Sequence, residues 1–230
     1  MSLTGVLARE RLFAALDRVA GHGGRPAPVA LVHAPTGAGK TALVASWAAR
    51  CADRAASGDG AAPLVVVIPL DDRHGEPAAL SEAVHDAVVS ADGSPLARLI
   101  PRPRRTAAPV SPLCLVLDDA DVLAGRPAAR LLATLARHPS LRLVLVGRTP
   151  PPLRPWLRAR GRLHEIGAED LAFTEREAAE LLRAHRVVLS PEDLAVLLRR
   201  TRGSAAGLRL AATSLTARGT PVVRQVATAR

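Results

Sequence analysis

The stretch Val29 to Ala49, VALVHAPTGAGKTALVASWAA, decides the fold. A short apolar run, Val29 to Val32, leads into Ala34-Pro35-Thr36-Gly37-Ala38-Gly39-Lys40-Thr41, after which Leu43, Val44 and Trp47 recur at helical spacing. Strand, glycine-bearing loop and helix in that order form the setting in which a GK[ST] sequence binds phosphate. Gly37 and Gly39 let backbone amides curl around an anion, and a helix opening near Lys40 aims the positive end of its dipole at the same point. Ala34, Ala38 and Ala42 supply the rest of the cradle, Ala34 standing where the usual pattern has glycine. Lys40 is the only lysine in the chain, and arginine is no substitute for a slim ammonium inside a closed loop. With a nucleoside triphosphate in the loop, Lys40 reaches the β- and γ-phosphates and the Thr41 hydroxyl ligates magnesium.

Leu113 to Asp119, LCLVLDD, is the second signature such a site requires: an apolar strand ending in two carboxylates. Asp118 holds magnesium opposite Thr41, and Asp119 polarises the attacking water as a general base. Arg148 follows a further apolar run, Leu141 to Val146, where a cation stabilises charge on the γ-phosphate. His33, one residue before the loop, reads as a packed histidine. Asp71 and Asp72 end another strand, and a loop-stabilising Asx turn and a ligand role both remain open for them.

The flanks extend this pattern. Val6 to Ala20 reads as an amphipathic helix, Leu64 to Leu70 as a strand covered on both faces, Pro77 to Ser90 as a helix, and Pro127 to His138 as another. The helix after the phosphate loop is expected to end near Arg50, with Ala52 to Pro63 a surface loop and Asp92 to Pro112 a linker. Leu163 to Ile166 fits one more strand. Strands alternating with helices imply a parallel, doubly wound α/β sheet, with its ligand site beyond the carboxyl ends of the strands. Capping signals at Thr174 to Glu177 and Ser190 to Asp193, followed by the apolar stretch Ala205 to Leu215, predict three helices of a small helical subdomain. The expected division is a nucleotide-binding domain over 1–168, a helical lid over 169–216 and a frayed tail over 217–230.

Composition narrows the classes. At 230 residues and 48% hydrophobic the chain can bury a full core, and with no tyrosine, two phenylalanines and two tryptophans that core must be aliphatic. Two cysteines, Cys51 and Cys114, give no disulfide framework, and no signal peptide or membrane span is visible, so a reduced, cytoplasmic protein is expected. The net charge of +10 raises the question of an acidic partner. The arginines read as scattered apart from Arg102-Pro103-Arg104-Arg105, and no helix-turn-helix, zinc-finger or aromatic stacking pattern accompanies them. Direct DNA binding by this chain alone is therefore not expected.

Several segments together resemble one family. The phosphate loop with Trp47, the segment PLDDRHGEPAAL, LVLDDADVL, and above all VLVGRTPPPLRPWLRARGRLHEIGAEDLAFTEREAAELL are similar to the ATPase core of the large LuxR-family regulators. These belong to the signal-transduction ATPases with numerous domains, the STAND class of P-loop NTPases within the AAA-like group. LSPEDLAVLLRRTRGSAAGLRLAATSL continues the likeness, which covers roughly Val6 to Leu215. The resemblance implies an ATP- and ADP-binding switch with slow magnesium-dependent hydrolysis, and self-association or a protein partner in the ATP form. It also implies that Lys40 and Thr41 bind phosphate and magnesium, that Asp118 and Asp119 form the acidic pair, and that Arg148 is the sensor arginine. Arg9 and Glu10 fall where the family's N-terminal segment touches the base, and Gly203 to Leu208 where the lid closes over the nucleotide. Ser204 and Ala205 replace the tryptophan and proline usual there. The winged-helix, repeat and DNA-binding regions of such regulators are absent from this sequence. The alternatives are a non-hydrolysing interaction or decoy protein that keeps the fold, and a basic nucleic-acid-binding ATPase.

Overall fold

The computed structural model describes residues 8–21, 29–60, 62–92, 113–138 and 141–217. The expected linker from Asp92 to Pro112, the first residues of the N-terminal helix and the tail after Ala217 lie outside the described residues. The elements in order are α1 (Glu10–Ala20), β1 (Val29–His33), α2 (Lys40–Ala56), β2 (Leu64–Pro69), α3 (Pro77–Asp92), β3 (Leu113–Asp118), α4 (Ala129–Leu135), β4 (Leu141–Gly147), α5 (Arg154–Ala159), β5 (Leu163–Ile166), α6 (Ala168–Leu171), α7 (Glu175–Ala184), α8 (Pro191–Thr201) and α9 (Ala205–Ala217).

The five strands pair in parallel in the order β2-β3-β4-β1-β5. Parallel strands need covering on both faces, and alternation along each strand separates two apolar layers. Ala30 and Val32 face Leu16, Val44 and Trp47 of α1 and α2, whereas Val29 and Leu31 join Leu80, Leu132 and Leu157 of α3, α4 and α5. β1, β3 and β4, rich in Val and Leu, are almost wholly buried, while β2 and β5 at the edges are half-exposed. The phosphate loop, Asp118-Asp119 and Arg148 follow β1, β3 and β4, three adjacent strands, so the sheet order alone brings them together at its carboxyl edge.

Five elements differ from their sequence expectations. Ala8 and Arg9, expected in the first helix, are not helical, α1 opening at Glu10, and the short helix α6 was not expected. α2 runs on to Ala56 instead of stopping near Arg50, because the buried stripe of Val44 and Trp47 continues at Cys51 and Arg54 pairs with Asp59 beyond the helix end. α4 is shorter than expected, with turns at Pro127-Ala128 and after Leu135. α5 was not expected at all: three prolines before it and Pro155 within it mask the helical spacing of Leu153, Trp156 and Leu157, which pack under the sheet.

The last three helices form their own small clusters. Ala178, Leu181 and Leu208 pack with Leu194, Leu197 and Phe173, and Leu182 and Ala212 pack with Val187 and Leu215. Thr174 and Glu177 close a reciprocal capping box at the start of α7, and the Ser190 hydroxyl accepts the Asp193 N–H at the start of α8.

Candidate functional site

Gly39 precedes α2 in the left-handed region (φ 92°), and Gly37 adopts φ 85°, so the loop turns twice where a side chain would be strained. Lys40 is buried, and its ammonium donates to the carbonyls of Ala34 (2.7 Å) and Pro35 (3.2 Å). An ammonium has three protons, so one is left for an anion in the loop. The Thr41 side chain lies close enough to the Asp118 carboxylate to favour its charged form, and that carboxylate accepts the Asp119 N–H at 3.1 Å. Burial pushes the Asp118 carboxyl above the ordinary aspartate range, although Thr41 and the Asp119 N–H oppose the shift. Hard oxygens from Thr41 and Asp118 close together fit magnesium chemistry. Asp119 stands in the left-handed conformation (φ 58°), a strained backbone of the kind that gathers at functional sites.

A cavity of about 360 Å³ opens over this loop. Gly37, Gly39, Lys40, Thr41, Ala42, Asp119 and Arg148 line it at the sheet edge, and Arg9, Phe13, Phe173, Leu181, Ala205 and Arg209 line it elsewhere. Both phenylalanines of the chain are among them. Four cations and one carboxylate among these residues make the cavity electropositive, and the amino ends of α2 and α9 both open into it.

The remaining expected residues fall around this cavity. Ala34 is buried behind the loop as a carbonyl partner of Lys40, and Ala38 packs against the core beneath. Arg9 lines the cavity at 5% exposure, but its guanidinium is committed to the turn between α6 and α7. It donates to the carbonyls of Leu171 (2.9 Å) and Ala172 (3.0 Å) and to Glu177 (2.9 Å), and stacks over Phe173 at 4.2 Å. Its Nε is buried with no hydrogen-bond partner. Glu10 does not line the cavity; its carboxylate turns outward to Arg50 at 2.7 Å. Asp71 caps the turn Asp72–Gly75, its carboxylate accepting the Arg73 N–H at 3.2 Å while its own N–H donates to His74 Nδ1 at 3.0 Å, which is the Asx-turn role. His33 lies 3.6 Å from Glu165 at the side of the sheet.

Sequence reasoning missed three participants. Asp121 binds the loop that carries Arg148: its carboxylate accepts the N–H groups of Arg148 (2.6 Å) and Thr149 (2.9 Å) and the Thr149 hydroxyl (2.9 Å). Burial would raise this carboxyl, but those bonds outweigh it and hold it below its ordinary range. Arg209 adds a cation from the lid, and Phe13 adds an apolar wall from α1. Asp121 lies two residues past the acidic pair, which was the signal available; the other two depend on how distant elements pack.

The start of α9 also touches the phosphate loop itself. The Ala206 N–H (2.9 Å) and the Ser204 hydroxyl (3.2 Å) both donate to the Gly37 carbonyl, and a Cβ on Gly37 would stand 2.9 Å from that of Ala206. Ser204 and Ala206 thus serve as loop contacts, and the Ala205 Cβ stands 3.1 Å from where a Cβ on Gly39 would lie.

The sequence profile of the AAA ATPase domain matches residues 6–146. The chain belongs to the AAA ATPase domain family. This AAA ATPase domain is 31% identical to the HTH-type transcriptional regulator MalT of Yersinia enterocolitica and 28% identical to that of Serratia proteamaculans, each likeness covering 92% of the chain. The chain spans about a quarter of the length of these curated relatives, 24% in both. Among solved structures, the DnaA replication initiator bound to AMPPCP and single-stranded DNA matches with a TM-score of 0.55 at 14% identity. That likeness covers 93% of this chain and 63% of the initiator. The Aeropyrum pernix ORC1 protein in complex with DNA matches with a TM-score of 0.54 at 23% identity, covering 94% and 62%. At these identities the structures show the fold: a P-loop NTPase sheet followed by helices.

Proposed function

We propose that this AAA ATPase domain is a nucleotide-operated switch module of the signal-transduction type, binding ATP and ADP with magnesium and hydrolysing ATP slowly. The observation that carries the reading is the contact of Ser204 and Ala206 on the Gly37 carbonyl, because the lid then rests on the loop that cradles the phosphates. Whatever occupies the loop changes the surface on which the lid sits.

In this reading Lys40 directs its third proton to the β- and γ-phosphates, and Thr41 and Asp118 hold magnesium. Magnesium, when bound, neutralises charge on the phosphate oxygens. Asp119 accepts the proton of the attacking water, and Arg148, held by Asp121, meets the charge that grows on the γ-phosphate. Phe13, Phe173 and Leu181 give the base an apolar slot, with the buried Arg9 Nε–H as a donor at its wall. The MalT likeness supports placing the switch in cytoplasmic gene regulation of the LuxR and STAND kind, acting through self-association or a protein partner.

Titration with Mg-ATP and Mg-ADP, followed by single-turnover hydrolysis, tests this. Saturable binding lost in Lys40→Ala and hydrolysis lost in Asp119→Asn are expected. Absence of saturable binding, or binding indifferent to Lys40→Ala, overturns the reading. Binding without any turnover favours the non-hydrolysing interaction protein.

A further inference from the structure

Positive charge is unevenly distributed along the chain. Of a net +10, the stretch between Asp121 and Glu165 carries nine arginines and no aspartate or glutamate. That stretch builds α4, β4, α5 and the start of β5. The turns that lead into β4 and β5 lie at the amino edge of the parallel sheet, the end opposite the nucleotide cavity.

At this edge Trp156 gathers guanidinium groups. Arg160 lies 4.9 Å and Arg137 5.4 Å from the centre of its ring, and Arg162 donates to the Ala136 carbonyl at 3.0 Å, tying the two turns together. Arg154 and Arg158 are neutralised by Glu165 further along β5. Arg137 and Arg160 are exposed and form no ion pair among the described residues. Trp156 is half-exposed, whereas Trp47 is fully buried with its N–H on Asp17.

We propose that this edge, centred on Trp156 with Arg137 and Arg160, is a docking site for single-stranded nucleic acid. Such a ligand alternates phosphates with planar bases. The site offers matching groups: guanidinium forks for phosphate, and guanidinium and indole planes on which any base stacks. An acidic polypeptide would satisfy the charge but has no series of planar faces. The site and the cavity occupy opposite ends of the sheet, so nucleotide and nucleic acid bind without exclusion.

The test uses the full chain and a fluorescein-labelled oligothymidine of about 20 nucleotides, long enough to cover a site of this class. Anisotropy is followed across a salt series, with tryptophan emission read in parallel. Affinity should fall with salt, with a log–log slope of roughly −0.7 for each phosphate engaged. Trp156 emission should be quenched on binding. Trp156→Leu should weaken binding about tenfold, the range of one stacked base. Arg137→Gln with Arg160→Gln, both on exposed positions, should weaken binding and flatten the salt slope while thermal unfolding and Mg-ATP binding stay at wild-type values. Absent or salt-independent binding overturns the proposal, as does unchanged affinity and slope in the arginine pair variant. Displacement by polyglutamate as effective as by unlabelled oligothymidine, charge for charge, also overturns it.

Discussion

Asp121 shows how one side chain can set the place of another, Arg148, without itself lining the cavity. It accepts four hydrogen bonds from Arg148 and Thr149, one of them from the Arg148 guanidinium at 3.5 Å, and Gly147 is bare of a side chain where a Cβ would stand 3.2 Å from both Asp121 oxygens. Asp121→Asn turns one acceptor into a donor that faces N–H groups, so the Arg148 loop must shift. Turnover should fall about 10- to 100-fold, the scale of losing one positioned transition-state donor. Equilibrium nucleotide affinity should stay near wild type, and a comparison of single-turnover rates with binding isotherms checks the split. Asp118 differs, because burial raises its carboxyl above 3.8. A raised native pKa means the folded chain binds the proton more readily than the unfolded chain, so this group adds stability as pH falls. In the site proposed above, the same protonation would remove a magnesium ligand. Magnesium-dependent nucleotide binding should therefore weaken on acidification at a pH above the ordinary aspartate range, and Asp118→Asn should abolish that acid limb in a pH series of binding titrations.

The turn that leads into α7 is held from α1 and the residue before it. Arg9 and Arg11 both reach Glu177, and each also donates to the Ala172 carbonyl, so α1 fixes the turn from which α7 departs. Glu177 also closes the α7 capping box by accepting the Thr174 N–H. Burial would raise the Glu177 carboxyl, but Arg9, the Thr174 N–H and Arg11 hold it below 4.5. For a carboxyl depressed in the native state, the stability it contributes is present above about pH 4.5 and is lost as pH falls below that value. Glu177→Gln should cost about 3 kcal/mol at neutral pH by leaving the buried Arg9 charge unbalanced. It should also remove this acid-side loss, as denaturant midpoints measured across pH 3 to 7 will show. Part of this turn was legible in sequence: Thr174 and Glu177 announce a capping box. That the same glutamate receives two arginines more than 160 residues away was not legible, because only the packing of α1 brings them there. Arg9 was expected at the nucleotide from the family resemblance; it does line the cavity, but its hydrogen bonds go to Leu171, Ala172 and Glu177.

Over the whole molecule, what the sequence disclosed was whatever sits at a strand end. The phosphate loop, Asp118-Asp119 and Arg148 each follow an apolar run, and parallel pairing collects them without further information. Lid geometry had no such guide, since contacts such as Gly37 with Ala206 depend on the docking of a separate small core. That core is a few leucines and alanines, whereas β1, β3 and β4 are buried on both faces, so the two layers should open at different free energies. In hydrogen exchange without nucleotide, amides of α7 to α9 should exchange much faster than those of the central strands. Nucleotide at 100 times its dissociation constant stabilises the bound fold by about 2.7 kcal/mol. For a chain of this size that corresponds to a rise in Tm of roughly 5–10 °C. Because the lid rests on the Gly37 carbonyl, the same addition should slow exchange in α9 as well as in β1. Gly37→Ala separates the two: its Cβ would stand 2.9 Å from the Ala206 Cβ in a left-handed backbone, so the lid cannot seat. In that variant α9 should stay fast-exchanging with Mg-ATP present. If α9 were protected as in the wild type, the Gly37 contact would not be the link between nucleotide and lid.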